Sequence, residues 1–286
     1  MTAATGEFTR PGRSRGLLET FSQRYLVSLL VHKELRIRYR GSVLGMVWSY
    51  VKPAFQFIVF YFAIGVFMKM RGNIDNYVIY MFSGVVTVNY FNEIFNNGTR
   101  CVVWNADLVN KIYLPRELFP VASTWVAFIH FIPQVVILAV GALIFGWRPG
   151  LLELAVFIYA FFVLTTFALG VGLLSGAVNV FYRDAENFVE LVLMAATWVS
   201  PVLYSWEMVH HVLGDGFLWW LYQLNPITAV VEMFHVVFWM PTAGVEAQLP
   251  PNMLMWALLA GVSALAMLVI GEAVFRKLDP GFAQEL

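Results

Sequence analysis

Residues 31–53 read VHKELRIRYRGSVLGMVWSYVKP. Lys33, Arg36, Arg38 and Arg40 crowd the first half of this run. Gly41, Ser42, Gly45 and Trp48 follow at once and open a long apolar stretch. A cationic segment joined to a hydrophobic span reads as a surface helix held against an anionic leaflet, passing into a first membrane crossing with no linker between them. The run thus predicts a helical membrane protein and marks the cytosolic side of its first span.

The whole composition agrees. Of 286 residues, 60% are hydrophobic and only 13% are charged, against about 25% charged in a soluble domain. Eighteen basic and eighteen acidic residues cancel, so distribution along the chain carries the information. Residues 1 to 16 hold Arg10, Arg13 and Arg15 but no apolar core, which excludes a cleavable signal peptide. The one cysteine, Cys101, excludes an intramolecular disulfide and a cysteine-built metal site. No repeat or linker divides the chain, so residues 1–286 are expected to form a single all-α transmembrane domain.

Working outward, residues 16–42 alternate apolar positions (Leu18, Phe21, Tyr25, Leu29) with Arg24, Lys33 and Arg36 at helical spacing. Charge interrupts them too often for a crossing, so they are expected to lie in the membrane plane. Residues 45–206 are expected to hold five spans. The first, Gly45–Met68, suits about 30 Å of hydrocarbon, and after a turn at 69–76 the second covers Tyr77–Gly98. A polar connection, Thr99–Pro120, leads to the third span at Leu118–Trp147, interrupted by Pro133. The fourth, Leu151–Tyr182, carries Gly170 and the GxxxG pair Gly172 and Gly176, a spacing that lets membrane helices approach closely. The fifth runs from Asn187 to Trp206. In 207–251 the apolar pieces Phe217–Leu224 and Ile227–Met240 are too short to cross comfortably and read as re-entrant helices on the external side. The sixth span is 252–275. With both termini cytosolic, only Lys69, Arg71 and Arg148 of the eighteen Lys and Arg lie outside. A seventh span would put Arg276 and Lys277 outside, against that rule.

On the second span Asn89, Asn92, Glu93 and Asn96 share one helical face. Polar groups in lipid must face protein or water, so the stripe either walls a polar conduit or hydrogen-bonds between helices, with Arg100 offsetting Glu93. The aromatics of the first span stack on sugar rings in one reading and contact lipid in the other. Trp48, Phe55 and Phe62 recur every seven residues. His210 and His211 diverge on a helix, whereas Glu232 and His235 share a face. No further acidic partners are apparent for a metal, so these residues are assigned to gating or packing. The chain has no G-x-x-x-x-G-K-[ST] loop, no H-E-x-x-H and no G-x-S-x-G. Any ATP-driven work therefore needs a nucleotide site in another chain.

Several segments, in order, resemble the permease subunits of ABC-2 type exporters of polysaccharides, the group that moves O-antigens, teichoic acids and capsules. They are Arg38-Tyr39-Arg40 with Ser42, Leu44-Gly45, Trp48 and Pro53; Asn110-Lys111 through Leu114-Pro115-Arg116-Glu117 with Pro120; Arg183-Asp184; Ser200-Pro201-Val202 with Tyr204; and Leu224-Asn225-Pro226. Within the group the chain looks most like the mycobacterial Wzm-type permeases of lipid-linked galactan. The resemblance implies a homodimer of six-span subunits in the cytoplasmic membrane, bound to two copies of a separate ATPase that holds the ATP and Mg²⁺. It implies no cofactor, metal or catalytic site in this chain, and no nucleic-acid partner. Coupling to the ATPase and substrate uptake would fall to Arg36, Arg38, Tyr39, Arg40, Asn110, Lys111, Arg116 and Glu117. The conduit would use Trp48, Phe55, Tyr61, Phe62, Asn89 and Glu93, and the external gate Ser200, Pro201, Tyr204, Asn225 and Pro226. Two rival functions are a membrane transferase acting on a lipid-linked sugar and an exporter of small molecules on the same architecture.

Overall fold

The computed structural model describes residues 16–63, 74–112, 114–243 and 249–286. The N-terminal arginines Arg10, Arg13 and Arg15, the outer end of the first span through Met68, and Lys69 and Arg71 lie outside the described residues. Among the described residues the architecture is helical throughout, with no strand. In chain order the helices are α1 (Leu17–Ser22), α2 (Arg24–Arg38), α3 (Trp48–Phe60), α4 (Tyr77–Trp104), α5 (Ala106–Lys111), α6 (Leu118–Ile144) and α7 (Leu151–Phe181). There follow α8 (Ala185–Val199), α9 (Trp206–Leu213), α10 (Phe217–Leu224), α11 (Pro226–Phe234), α12 (Met253–Leu278) and α13 (Phe282–Glu285).

Local chemistry sets several of these boundaries. Helix α7 opens after Gly150, whose N–H donates to the Glu153 carboxylate at 2.9 Å. Helix α11 opens with the Asn225 side chain accepting from the Ile227 N–H at 3.1 Å and Pro226 in its first turn, a strong start signal. Helix α8 stops at Val199 because Ser200 is extended and Pro201 follows. Its 15 residues cover about 22 Å, so the helix ends well before Trp206, the expected end of the fifth span. The amphipathic stretch is two helices, broken at Gln23.

The expected unbroken passage from basic helix to first span is corrected. Tyr39 ends α2, and Gly41 and Gly45 take positive φ of 76° and 51°, conformations that glycine reaches without steric cost. A one-turn 3₁₀ helix, Gly45–Val47, then leads into α3. The joint is a turn. Helix α4, over the expected second span, is longer than expected: it runs on to Trp104, and the polar connection begins only at Asn105.

Among the described residues, three helices are long and apolar enough to cross a membrane on length and composition: Leu118–Ile144, Leu151–Phe181 and Met253–Glu285. Helix α4 has similar length, 28 residues, but its polar face lowers its hydropathy. It is instead the centre of the bundle, packed against α6, α7, α8 and α11. One apolar cluster surrounds its first half, with Tyr90, Phe91, Phe131, Phe234 and Ala264 among its members. A second joins α2, α6, α12 and the chain end through Leu30, Val31, Phe119, Phe275 and Phe282. The GxxxG reading holds in detail: Gly172 and Gly176 face Gly98 of α4, where a Cβ on Gly98 would stand 3.0 Å from the Gly172 Cα. Gly170 meets the backbone of α12 at Leu268. With lipid as solvent, such close backbone packing replaces hydrophobic burial as the force between helices.

Candidate functional site

Helix α2 buries Val27, Leu30 and Val31 and rests along α6. That packing carries its last residue, Arg38, to the edge of α4. After the turn at Tyr39 the chain continues along α6, so α3 presents Trp48, Ser49, Lys52 and Gln56 to the same space. Asn89 and Glu93 from α4 and His130 and Gln134 from α6 complete a polar cavity of about 740 Å³.

One cluster lies at its centre. The Arg38 guanidinium Nη1 is 2.5 Å from Glu93 Oε1 and 2.6 Å from His130 Nδ1. His130 Nδ1 is itself 2.6 Å from Glu93 Oε1. On the other edge of the ring, His130 Nε2 lies 2.9 Å from the Tyr39 hydroxyl, which is 2.5 Å from Ser49 Oγ. Nδ1 can donate to Glu93 or accept from Arg38, but not both at once. In the neutral ring the first arrangement makes Nε2 accept from Tyr39 and the second makes Nε2 donate to it. Residues from α2, the turn, α3, α4 and α6 thus share one network. One turn nearer the start of α4, Asn89 Nδ2 donates to Gln134 Oε1 at 3.2 Å and to Gln56 Oε1 at 3.5 Å. Burial is graded: the Arg38 side chain is 40% exposed, Glu93 19% and His130 8%.

Arg100 does not offset Glu93. It pairs with Glu186 at 3.0 Å and Glu190 at 2.7 Å on α8. A second tie pins α2 to the core: Lys33 Nζ donates to Asn105 Oδ1 at 2.5 Å, and Asn105 Nδ2 donates to the Cys101 carbonyl. Between these ties sits Glu34, whose carboxyl burial pushes above its ordinary range while Lys33 and Arg38 pull it back.

The other expected coupling residues divide. Arg36 and Arg40 are exposed beside the joint, and Asn110 and Lys111 are exposed on α5, where Lys111 pairs with Asp107. Arg116 is internal: it donates to the Asp279 carboxylate at 2.9 Å and to the Asp279 carbonyl, and lies over the Phe282 ring. It clips the chain end to the start of α6. Glu117 is fully buried beside it. Of the expected conduit residues, Trp48, Asn89 and Glu93 line the cavity. Phe55 and Phe62 point away, 66% and 50% exposed, with Tyr61 packed edge-on to Phe62.

On the far side, the 200–205 turn packs onto the start of α4. The Tyr80 hydroxyl meets the carbonyls of Pro201 and Tyr204, and Tyr77 donates to Leu203. Ser200 is fully buried, and Gly84 leaves room for Val202. Asn225 and Pro226 act as the start of α11, which is buried along its length. His235 lies 3.3 Å from Glu232, contacts the Tyr80 carbonyl and stacks on the Tyr80 ring. Among the described residues no three His, Cys, Asp or Glu side chains converge as a metal site would require.

Sequence reasoning missed His130, Gln134, Gln56 and Ser49. The signal was present for His130: an ionisable residue within an apolar span asks for a partner by default.

These features define a helical membrane protein with an ionisable polar cavity where its basic helix α2 meets the bundle. A family model described as ABC-2 type transporter matches residues 25–239, from α2 through α11, and the chain belongs to that family. It is similar to O-antigen export system permease protein RfbA of Klebsiella pneumoniae, 24% identical over 265 residues, 92% of this chain and 96% of that protein. Another relative is the RfbA permease of Myxococcus xanthus, 25% identical over 268 residues, 94% of this chain and 98% of that protein.

Proposed function

We propose that this chain is the membrane permease of an ATP-binding-cassette exporter that moves a lipid-linked polysaccharide, galactan or O-antigen-like, out of the cytosol. A separate ATPase subunit supplies the energy. The observation that carries the reading is the likeness to O-antigen export permeases along nearly the whole of both chains. The cavity supports it chemically. Amides at Asn89, Gln56 and Gln134 offer paired donors and acceptors for sugar hydroxyls, and Trp48 offers a stacking face.

In this reading the protein sits in the cytoplasmic membrane with both termini cytosolic. α3, α4, α6, α7, α8 and α12 are the six spans, and α9 to α11 form the re-entrant segment at the external mouth. Two copies form the conduit and bind two ATPase subunits. The exposed Arg36, Arg40, Asn110 and Lys111 contact the ATPase, while Arg38 and Tyr39 carry the movement inward to Glu93 and His130. Arg116 and Glu117 serve by holding α5 and the start of α6 in place. Differential contact in two states is what allows a push on α2 to change the cavity.

Export of a small molecule remains the rival, and one observation favours it: about 740 Å³ is a usual volume for a small-molecule pocket. A membrane transferase is less well served, because Glu232 and His235 are buried against Tyr80. Depletion of the protein decides between them. Lipid-linked glycan should accumulate on the cytosolic face, and a tagged chain should recover an ATPase subunit from native membranes. Normal surface glycan after depletion would overturn the proposal.

A further inference from the structure

We propose that the groove between α2 and α6 is a binding site for one anionic glycerophospholipid of the inner leaflet. The groove encloses about 470 Å³. Its α6 wall is a single helical stripe, Val121, Trp125 and Ile129, and its α2 wall presents Val27 and Val31 with Arg24 and Ser28. No carboxylate lines it among the described residues. The α6 stripe continues as the exposed apolar positions Ile132, Val136 and Val140. The groove is therefore the place where a lipid-facing helix surface runs beneath the in-plane helix.

Three features select the occupant. An apolar channel continuous with the lipid-facing surface takes an acyl chain. Arg24, exposed at the polar end of the channel, has five N–H donors, enough to serve a phosphate beside any other contact it makes. Trp125, 52% exposed, is the residue type that settles at headgroup depth. An anionic headgroup on Arg24 with one chain along α6 satisfies all three, and it would hold α2 on the bundle next to the Arg38 cluster. This inference rests on the membrane placement of α2 and α6, and is independent of the exported substrate.

The test is native mass spectrometry of the detergent-purified full chain, titrated with palmitoyl-oleoyl phosphatidylglycerol or phosphatidylcholine. One phosphatidylglycerol per chain should survive activation that strips phosphatidylcholine. Arg24→Gln should weaken its retention about fivefold, the effect of one basic side chain at an anionic surface, and Arg24→Lys should restore most of it. Ile129→Trp, which fills the groove, should abolish retention. Equal retention of the two lipids, or an unaltered phosphatidylglycerol count in Arg24→Gln, overturns the site. So does Ile129→Trp if it reduces ATPase recovery and leaves lipid retention intact, since the groove would then belong to a protein partner. Should Ile129→Trp fail to fold, the Arg24 pair of variants decides alone.

Discussion

Arg38, the last residue of α2, stands 2.5 Å from Glu93 in the middle of α4, and the two share His130 Nδ1. The contact closes a sequence separation of 55 residues. It makes the basic helix α2 and the central helix of the bundle one mechanical unit.

Breaking that unit should abolish export before it abolishes folding. Removing Arg38 leaves a largely buried carboxylate without its charged partner, costing about 2 kcal/mol, at the low end because Arg38 is partly exposed. Arg38→Ala and Glu93→Gln should each stop glycan export while the protein still inserts. The double variant should cost less than the sum of the singles. Additive effects in thermal unfolding would show that the pair is not coupled.

Stiffness of α2 up to its last residue should matter as much as the pair. Ile37 is exposed, so Ile37→Pro removes no packing, but it deletes a helical hydrogen bond and costs about 3 kcal/mol locally. The expected result is ATP hydrolysis by the complex without export. Normal export by this variant would sink the role of α2 as the connecting element.

Glu34 sets a pH dependence. Burial raises its carboxyl, so the folded state holds the proton more tightly than the unfolded chain does. Its protonated form therefore favours folding, and that contribution is lost as pH rises through the folded value. Glu34→Gln should raise the unfolding midpoint at neutral pH and flatten its fall between mildly acidic and neutral pH. An unchanged slope in reconstituted protein would refute the assignment.

The crossing of α4 and α7 leaves no space for a side chain. A Cβ on Gly176 would stand 2.5 Å from the Gly98 carbonyl oxygen. Gly176→Val should force the helices apart at a cost of about 1–3 kcal/mol, read as lost thermal stability. Gly214→Ala, in open space, serves as the control, paying only backbone strain.

The chain end contributes too. Phe282 is fully buried between Phe275 and Phe181, with Arg116 over its ring. Phe282→Ala should cost about 3–5 kcal/mol and loosen α5. Reduced ATPase recovery alongside the lower midpoint is the expected pair of readouts, and full stability would contradict it.

Much of this was legible from residue order. The helical character and the GxxxG spacing are local patterns with local causes, and they reappear in the structure. Arg116 illustrates the limit. Its place in a polar connection suggested an exposed contact, yet Asp279, more than 160 residues later, folds back to claim it. Glu93 erred in the same way, since the nearby Arg100 was its natural candidate and the distant Arg38 took the place.

Sequence alone determined that this chain is a helical membrane protein that opens with a basic amphipathic stretch. Hydropathy, charge asymmetry and helix length act along the chain and need no partner to be read. Only the tertiary structure decided that residues 31–53 bend at Tyr39 to Gly45 instead of running straight, and that the bend delivers Arg38 to Glu93 and Tyr39 to His130. Those pairings depend on which faces of α2, α3, α4 and α6 meet. Packing between helices settles that, and no spacing within one helix can encode it.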